Sequence, residues 1–145
     1  MPEIRSRAIE ILDKAISKIK DVHYENPYHF LSEDDHKCFL YSQLYTMIDP
    51  EVCLHSEVSF YDKHDKLAFR PDLSIMLKKE IKYTPHKFNW EVPDDGVIAF
   101  VEIKYIRNKS QRNIEEIEKD IQKLKQLLIL NPKAKVYLLC CYVSD

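Results

Sequence analysis

The sequence predicts an α/β (α+β) fold in which a four-stranded mixed sheet is flanked by helices. Three strand-like segments follow one another after two helical segments, which favours an antiparallel meander. A long amphipathic segment then leads to a last apolar segment, and a helical crossover of this kind favours a parallel partner for the last strand. The chain of 145 residues fits one domain, with room for a hydrophobic core of its own.

The N-terminal part, residues 1–30, is predicted to be an additional helix followed by a connector. Apolar residues recur at helical spacing through residues 2–21, which is typical of an amphipathic helix. The connector, residues 23–30, is rich in aromatic side chains and contains Pro27. We expect residues 32–143 to form the core of the single domain.

Two further helices are predicted within this core. Ser32 can cap the first, and Asp35 three residues later forms an imperfect capping box. The second begins at Ser110 or Asn113 and ends before Pro132. A polar turn is expected at residues 62–65 and a polar, aromatic insertion at residues 78–96. The four strands of the sheet are expected at residues 55–61, 69–77, 97–106 and 135–143.

The two central strands carry ionisable side chains in segments that are otherwise apolar. Asp72 belongs to one of them, and Glu102 and Lys104 lie late in the other. Alternation along the strand places Glu102 and Lys104 on one face with Ile98 and Phe100. Burying a carboxylate and an ammonium group is costly unless each has a partner. A metal ion held by Asp72 and Glu102, with Lys104 beside it, would supply that partner.

The composition argues against several other classes of protein. Gly96 is the only glycine, which argues against a glycine-rich phosphate-binding loop. A net charge of −2 provides no overall attraction for nucleic acid, so such contacts would need a local basic patch. No apolar run approaches the roughly 20 residues of a membrane span, and no signal peptide is recognisable. We therefore expect a cytoplasmic protein with no membrane partner.

The cysteines and histidines show no spacing typical of a metal site. The four cysteines form no CxxC pair, and we expect reduced core residues. The six histidines form no HExxH or HNH-like cluster, and we expect them in the connector and on the surface.

The order of elements and two short motifs together resemble the PD-(D/E)xK nuclease superfamily, with its restriction-endonuclease-like αβββαβ core. Pro71-Asp72 stands where that family has PD, and Glu102-Ile103-Lys104 stands where it has (D/E)xK. The resemblance covers Ser32 to Val143, nearly the whole chain apart from the first helix. One departure is the long segment between the motifs, where a tight hairpin would be simpler.

This resemblance implies a metal-dependent endonuclease that hydrolyses phosphodiester bonds, with DNA as the favoured substrate. Asp72, Glu102 and Lys104 would be catalytic. The two carboxylates and the carbonyl of Ile103 would hold Mg²⁺, or Mn²⁺ as a substitute. Lys104 would orient or deprotonate the attacking water and hold the scissile phosphate. Specificity would be weak, directed by substrate structure or supplied by a partner, and a homodimer would let two sites address two strands.

The family commonly places an acid near the start of its first core helix, facing the metal. Glu33 is the preferred match in this chain, Asp35 is the second choice, and Asp34 lies between them. In the alternative interpretation, these acids only stabilise the partial positive charge at the helix N-terminus. Glu57 is either an additional ligand or an ion-pair partner, and the second role is favoured.

Four polar residues near the second motif are predicted to contact the substrate. Arg107 and Lys109 belong to a basic loop that suits phosphate contacts. In the family, a polar residue of the following helix often reaches the substrate or the active-site lysine. Gln122 and Lys123 are the candidates here, although a solvated helix face explains them equally well.

Other interpretations of the same residues remain open. The two acids and the lysine would form a buried ion-pair network without catalysis if the chain were a non-catalytic member of the fold. Such a module would bind nucleic acid or a protein partner through its basic loops or its aromatic insertion. RNA is a further alternative as the substrate.

Overall fold

The computed structural model describes residues 2–61, 66–84, 89–91 and 96–142. The predicted turn at residues 62–65 and Val143, the end of the last predicted strand, lie outside these ranges. The helices are α1 Pro2–Glu25, α2 Glu33–Tyr45 and α3 Gln111–Leu130. The strands are β1 Val52–Ser56, β2 Phe60–Tyr61, β3 Leu67–Phe69, β4 Leu73–Leu77, β5 Lys82–Thr84, β6 Asn89–Glu91, β7 Val97–Ile106 and β8 Lys135–Tyr142.

The fold is α+β, and its main sheet has four strands in the order β1-β4-β7-β8. β1, β4 and β7 are antiparallel to one another, and β8 is parallel to β7 after the crossover through α3. The predicted mixed sheet is confirmed at this level, and β7 has the predicted bounds. None of the helices in the described ranges is long and apolar enough to cross a membrane.

Helices cover both faces of the main sheet. On one face α1 and α2 pack over β1, β4 and β7, and Leu12, Leu40, Ile75 and Val101 are among the buried residues of that cluster. On the other face α3 packs through Leu124 and Leu127 against residues that include Met76 and Phe100. Burial of apolar surface on both sides stabilises the sheet and leaves its charged positions at one end of β4 and β7.

One residue of β7 does not lie on its predicted face. Consecutive residues of β4 pair with Ala99 and Val97, so Ile98 is an extra residue of the kind found in a β-bulge. Ile98 packs in the cluster under α1 and α2, whereas Phe100 packs under α3. The prediction that Ile98 shares a face with Phe100 is therefore wrong. The regular register of β7 with β8 begins at Ala99, so Phe100 and Lys104 still share a face.

The predicted hairpin of two longer strands is divided between two sheets. β1 pairs with β4, and β2 pairs separately with β3. The division occurs at Glu57, whose φ of 54° does not continue a strand. Pro71, just before β4, has no N–H to donate to a sheet ladder. Between these points the Glu57 N–H donates to the Asp72 carbonyl oxygen at 3.2 Å, which fixes the backbone of Asp72.

Two other segments contain more regular structure than predicted. α1 continues to Glu25, beyond the expected end at residue 21, so the start of the connector is helical. The insertion contains a short 3₁₀-helix, Lys78–Glu80, and the paired strands β5 and β6.

The predicted helix caps are present. The Asp35 N–H donates to Ser32 Oγ at 3.2 Å, and Asp35 Oδ2 accepts from the Leu31 N–H at 2.7 Å. At α3 the Asn113 N–H donates to Ser110 Oγ at 3.3 Å, so Ser110 is the cap of the two predicted starts. Because these local bonds satisfy N–H groups that lack helical partners, they fix where α2 and α3 begin.

Burial of three side chains differs from the prediction. Cys141 is buried, but Cys38 and Cys140 are exposed, so the expectation of core cysteines is wrong for these two. The sequence predicts His36 in the connector or on the surface, yet it is fully buried in α2 with Nδ1 2.9 Å from the Ser32 carbonyl oxygen.

Ser32→Ala should lower the free energy of unfolding by about 1 kcal/mol, because the Asp35 N–H loses its side-chain acceptor. Urea unfolding followed by circular dichroism measures the change. Ser17→Ala, on the exposed face of α1, is the matched control and should change stability by less than about 0.5 kcal/mol. Equal stability of Ser32→Ala and the wild type would contradict the capping role.

Candidate functional site

Asp72 and Glu102 lie next to each other across β4 and β7. The register pairs Leu73 with Val101, which brings the preceding Asp72 beside Glu102. The Asp72 N–H donates to Glu102 Oε2 at 3.1 Å, and the Ile103 N–H donates to Asp72 Oδ2 at 2.7 Å. Each carboxylate is thus held by the backbone of the neighbouring segment, and the two acids predicted from the motifs are brought together.

The environment of these two acids opposes their ionisation. Both side chains are partly buried. Burial, followed by the negative charge of Asp72, raises the pKa of Glu102 to about 8. Burial also raises the pKa of Asp72, although the hydrogen bond from the Ile103 N–H acts in the opposite direction. Two buried carboxylates need positive charge nearby in order to be ionised together, and a divalent cation would provide it.

Lys104 is held by Asp120, which projects from α3. Lys104 Nζ lies 3.0 Å from Asp120 Oδ2, and the two side chains are 20% and 10% exposed. Burial acts to lower the pKa of Lys104, but the hydrogen bond and the charge of Asp120 outweigh it and raise the pKa overall. Lys104 is therefore a cation at neutral pH. This state suits a phosphate-holding role better than the alternative role of deprotonating a water molecule.

Glu33 is the acid of α2 that faces this group. Its Oε1 accepts the N–H of Tyr105 at 3.1 Å, one residue beyond Lys104 in β7. Its negative charge contributes to raising the pKa of both Asp72 and Lys104, so it lies within electrostatic reach of both. Of the three acids considered from the sequence, the structure brings Glu33 to the site.

The other two acids of α2 have different partners. The Asp35 side chain accepts the N–H of Leu31 just before the helix, and Asp34 pairs with Lys37 at 3.3 Å. Lys37 is 14% exposed and also pairs with Glu57 at 3.5 Å, which gives Glu57 the ion-pair role favoured from the sequence. Burial raises the pKa of Asp72 overall, and the positive charge of Lys37 opposes that rise. Sequence reasoning missed Lys37, although its position one helical turn after the site acid was a signal for it.

Ile103 contributes to the site through its backbone. Its side chain is buried in the cluster under α1 and α2, on the opposite face from Lys104. Its N–H is bonded to Asp72 Oδ2. The predicted role of its carbonyl as a metal ligand stays a prediction.

The predicted substrate-binding residues of α3 do not reach Lys104. Gln122 and Lys123 are exposed, and Lys123 Nζ lies 5.3 Å from the centre of the Phe69 ring. The residue of α3 that reaches the lysine is Asp120, which was not a preferred candidate. A signal for it was present, since Asp120 precedes the buried Leu124 by four residues and shares its face of the helix.

The predicted phosphate-binding residues of the β7–α3 loop are exposed and lie beside aromatic rings. The guanidinium carbon of Arg107 is 5.9 Å from the centre of the Tyr105 ring. Lys109 Nζ is 5.3 Å from the centre of the Tyr142 ring. Both cations remain accessible to a ligand in solution.

The donor set available to a metal ion consists of few side chains. In the part of the chain that the structure describes, no group of three or more His, Cys, Asp or Glu side chains is placed to hold a metal ion. Mg²⁺ is usually held by one or two carboxylates together with water and substrate phosphate. The paired carboxylates of Asp72 and Glu102 fit that pattern of coordination, because their surroundings oppose ionisation of both acids and a cation would favour it.

Comparisons with known proteins do not assign the chain to a family. No family model, no curated protein and no solved structure matches it significantly. The function of the chain therefore has to be inferred from the residues of the site and from the resemblance carried by the two motifs.

Without metal, the protein should lose stability as the pH rises from about 5 to about 8. Folding raises the pKa of Glu102 from its ordinary value of 4.5 to about 8, so the folded state binds more protons in this window and rising pH favours unfolding. Glu102→Gln removes this group. The free energy of unfolding of this variant, relative to that of the wild type, should increase by on the order of 1 kcal/mol from about pH 5 to about pH 8. This change is smaller than the pKa shift alone would give, because solvent screens a partly exposed group.

Urea unfolding in the presence of EDTA, at several pH values in this window, measures the difference between the two proteins. Glu118→Gln, which removes an exposed carboxylate of α3, is the control and should follow the wild type at every pH. A stability difference between Glu102→Gln and the wild type that does not vary with pH would contradict the raised pKa.

Proposed function

We propose that this protein is a metal-dependent endonuclease with a restriction-endonuclease-like core, which hydrolyses phosphodiester bonds of DNA. The observation that carries the proposal is the contact of Asp72 with Glu102, at adjoining positions of two central strands, with Lys104 two residues further along β7. The order of the strands and the crossover through α3 support the αβββαβ arrangement that the motifs imply.

The cofactor that suits these ligands is Mg²⁺, with Mn²⁺ as a substitute. Asp72 and Glu102 would hold it. The carbonyl of Ile103 and Glu33 are further ligands that the resemblance implies, and Glu33 would have to move to reach the ion, because no three acids of the described residues are placed to share one. When bound, the ion supplies positive charge for the phosphate and lowers the pKa of a water molecule. Hard divalent cations prefer oxygen ligands, and every candidate ligand here is a carboxylate or carbonyl oxygen.

The cationic side chains around the acids would act on the substrate phosphate. Lys104 stays protonated beside Asp120, so it would stabilise negative charge that develops on the phosphate. Glu33 bonds the N–H that follows Lys104 and so holds the end of β7 in place. Arg107 and Lys109 lie on the loop after β7, where they would contact neighbouring phosphates of the substrate backbone.

A non-catalytic module that binds nucleic acid or a protein partner is the second candidate. One observation favours it: the acids and the lysine of the site already have partners within the protein. A structural network of this kind would not require a metal ion. Metal binding therefore separates the two candidates.

The wild type should bind Mn²⁺ with a Kd in the range of roughly micromolar to millimolar. Asp72→Asn should weaken binding at least about tenfold, because one of two carboxylate ligands is lost. Isothermal titration calorimetry measures both. Asp49→Asn, which removes a carboxylate paired with Arg7 away from the site, is the control and should bind like the wild type. A wild type that binds no Mn²⁺ in this range would favour the non-catalytic module.

Lys104→Ala should keep the fold and Mn²⁺ binding but lower the cleavage rate by about 10²–10³-fold, because a fixed cation beside the phosphate is lost. Gel analysis of plasmid and single-stranded DNA with Mg²⁺ measures the rate. Lys125→Ala, on the exposed face of α3, is the control and should cleave at the wild-type rate. Full activity of a folded Lys104→Ala protein would falsify the assigned role.

A further inference from the structure

The sheet face that carries Lys104 continues onto β8. In the parallel register Lys104 lies opposite Cys140, and Ile106 lies opposite Tyr142. Residues paired in this way point to the same face of the sheet. Burial and the charge of Asp120 raise the pKa of the Cys140 thiol, and the charge of Lys104 lowers it. Both side chains are therefore near Cys140, which agrees with that placement. Tyr142 therefore lies on the same face as Lys104, one strand away and two residues further along.

The Tyr142 side chain is exposed and has a cation over its ring. The residue is 41% exposed at the end of β8, which is the edge strand of the main sheet. Lys109 Nζ lies 5.3 Å from the ring centre, a cation–π distance. The backbone at this position is fixed by His23, whose Nε2 lies 3.1 Å from the Tyr142 carbonyl oxygen. The backbone of Tyr142 is thus tied to α1, while its ring stays exposed beside Lys109.

The charge around Tyr142 suits an anionic ligand. Residues 105–112, the end of β7 and the start of α3 with the loop between them, contain three basic residues and no acidic residue, and one of the three, Arg112, pairs with Glu116 of α3. The net charge of the whole chain is −2, so this segment is a local basic patch. A ring that stacks on a base, beside ammonium and guanidinium groups that contact phosphate, is the usual means of holding single-stranded nucleic acid.

We propose that Tyr142, together with Lys109, forms a stacking subsite for an unpaired base of DNA next to the proposed cleavage site. The inference rests on the proposed function for the identity of the neighbouring site, and it names the substrate class as DNA with a single-stranded segment. Bases within a duplex are stacked on one another and cannot present a face to Tyr142. Binding at the subsite requires neither a metal ion nor hydrolysis.

The test measures binding in EDTA by fluorescence anisotropy, with a labelled oligothymidylate longer than about 16 nucleotides and a blunt duplex of the same length. Tyr142→Ala should weaken oligothymidylate binding about tenfold and change duplex binding less than about twofold. Tyr142→Phe keeps the ring and should bind like the wild type. Lys109→Ala should weaken the binding of both probes and reduce its salt dependence, because a phosphate contact is lost.

Tyr45→Ala is the matched control, since Tyr45 is 69% exposed at the end of α2 opposite to Glu33. It should bind both probes like the wild type. The subsite is overturned if folded Tyr142→Ala binds oligothymidylate like the wild type, or loses duplex binding equally. If Tyr142→Ala weakens the binding of an oligouridylate of the same length but not that of oligothymidylate, the assignment to DNA is overturned.

The two proposals fail independently. Loss of oligothymidylate binding in Tyr142→Ala supports the subsite even if the wild type binds no Mn²⁺, and in that case the nuclease proposal alone is contradicted. Conversely, Mn²⁺-dependent cleavage with unchanged binding by Tyr142→Ala contradicts the subsite alone.

Discussion

The candidate site depends on the hydrogen bonds that place the Asp72 and Glu102 carboxylates beside each other. Two backbone N–H groups, those of Asp72 and Ile103, donate to the carboxylate of the facing segment and tie the start of β4 to β7. These bonds position the acids, but they do not neutralise them. Burial, followed by the negative charge of Asp72, raises the pKa of Glu102 to about 8, so it is unfavourable for both acids to be ionised together. Carboxylates whose ionisation is opposed in this way are typical of functional sites.

The elements that could be predicted from the sequence are those that local interactions specify. The bounds of β7 follow from a run that is apolar apart from Glu102 and Lys104. Ser32 and Ser110 bond N–H groups only three residues away. The bulge at Ile98 and the positive φ of Glu57 could not be predicted in the same way, since both depend on how strands meet in the sheet. Alternation alone places every second residue of β7 on one face. The extra residue at the bulge moves Ile98 to the face opposite Phe100.

The same distinction applies to the side chains of the site. The motifs identify Asp72, Glu102 and Lys104, because their spacing along two strands is visible in the sequence. Motifs do not distinguish Asp120 from its polar neighbours, because the rotation of α3 against the sheet determines which of them reaches Lys104. Its helical spacing from Leu124 contained that information. A polar residue on an otherwise apolar helical stripe is therefore a better candidate for a buried partner than one beside the stripe.

The charge balance of the site distinguishes the two candidate functions. A purely structural network gains little from two adjacent carboxylates, since well-packed neutral side chains at such positions are often equally or more stabilising. Lys104 does not relieve the repulsion fully, because its closest anionic partner is Asp120 rather than either acid of the pair. Lys37 is likewise shared with Asp34 and Glu57. A divalent cation would bring the positive charge that lets both carboxylates be ionised together, whereas in a binding module Glu102 would stay protonated at neutral pH, so metal binding distinguishes the two functions.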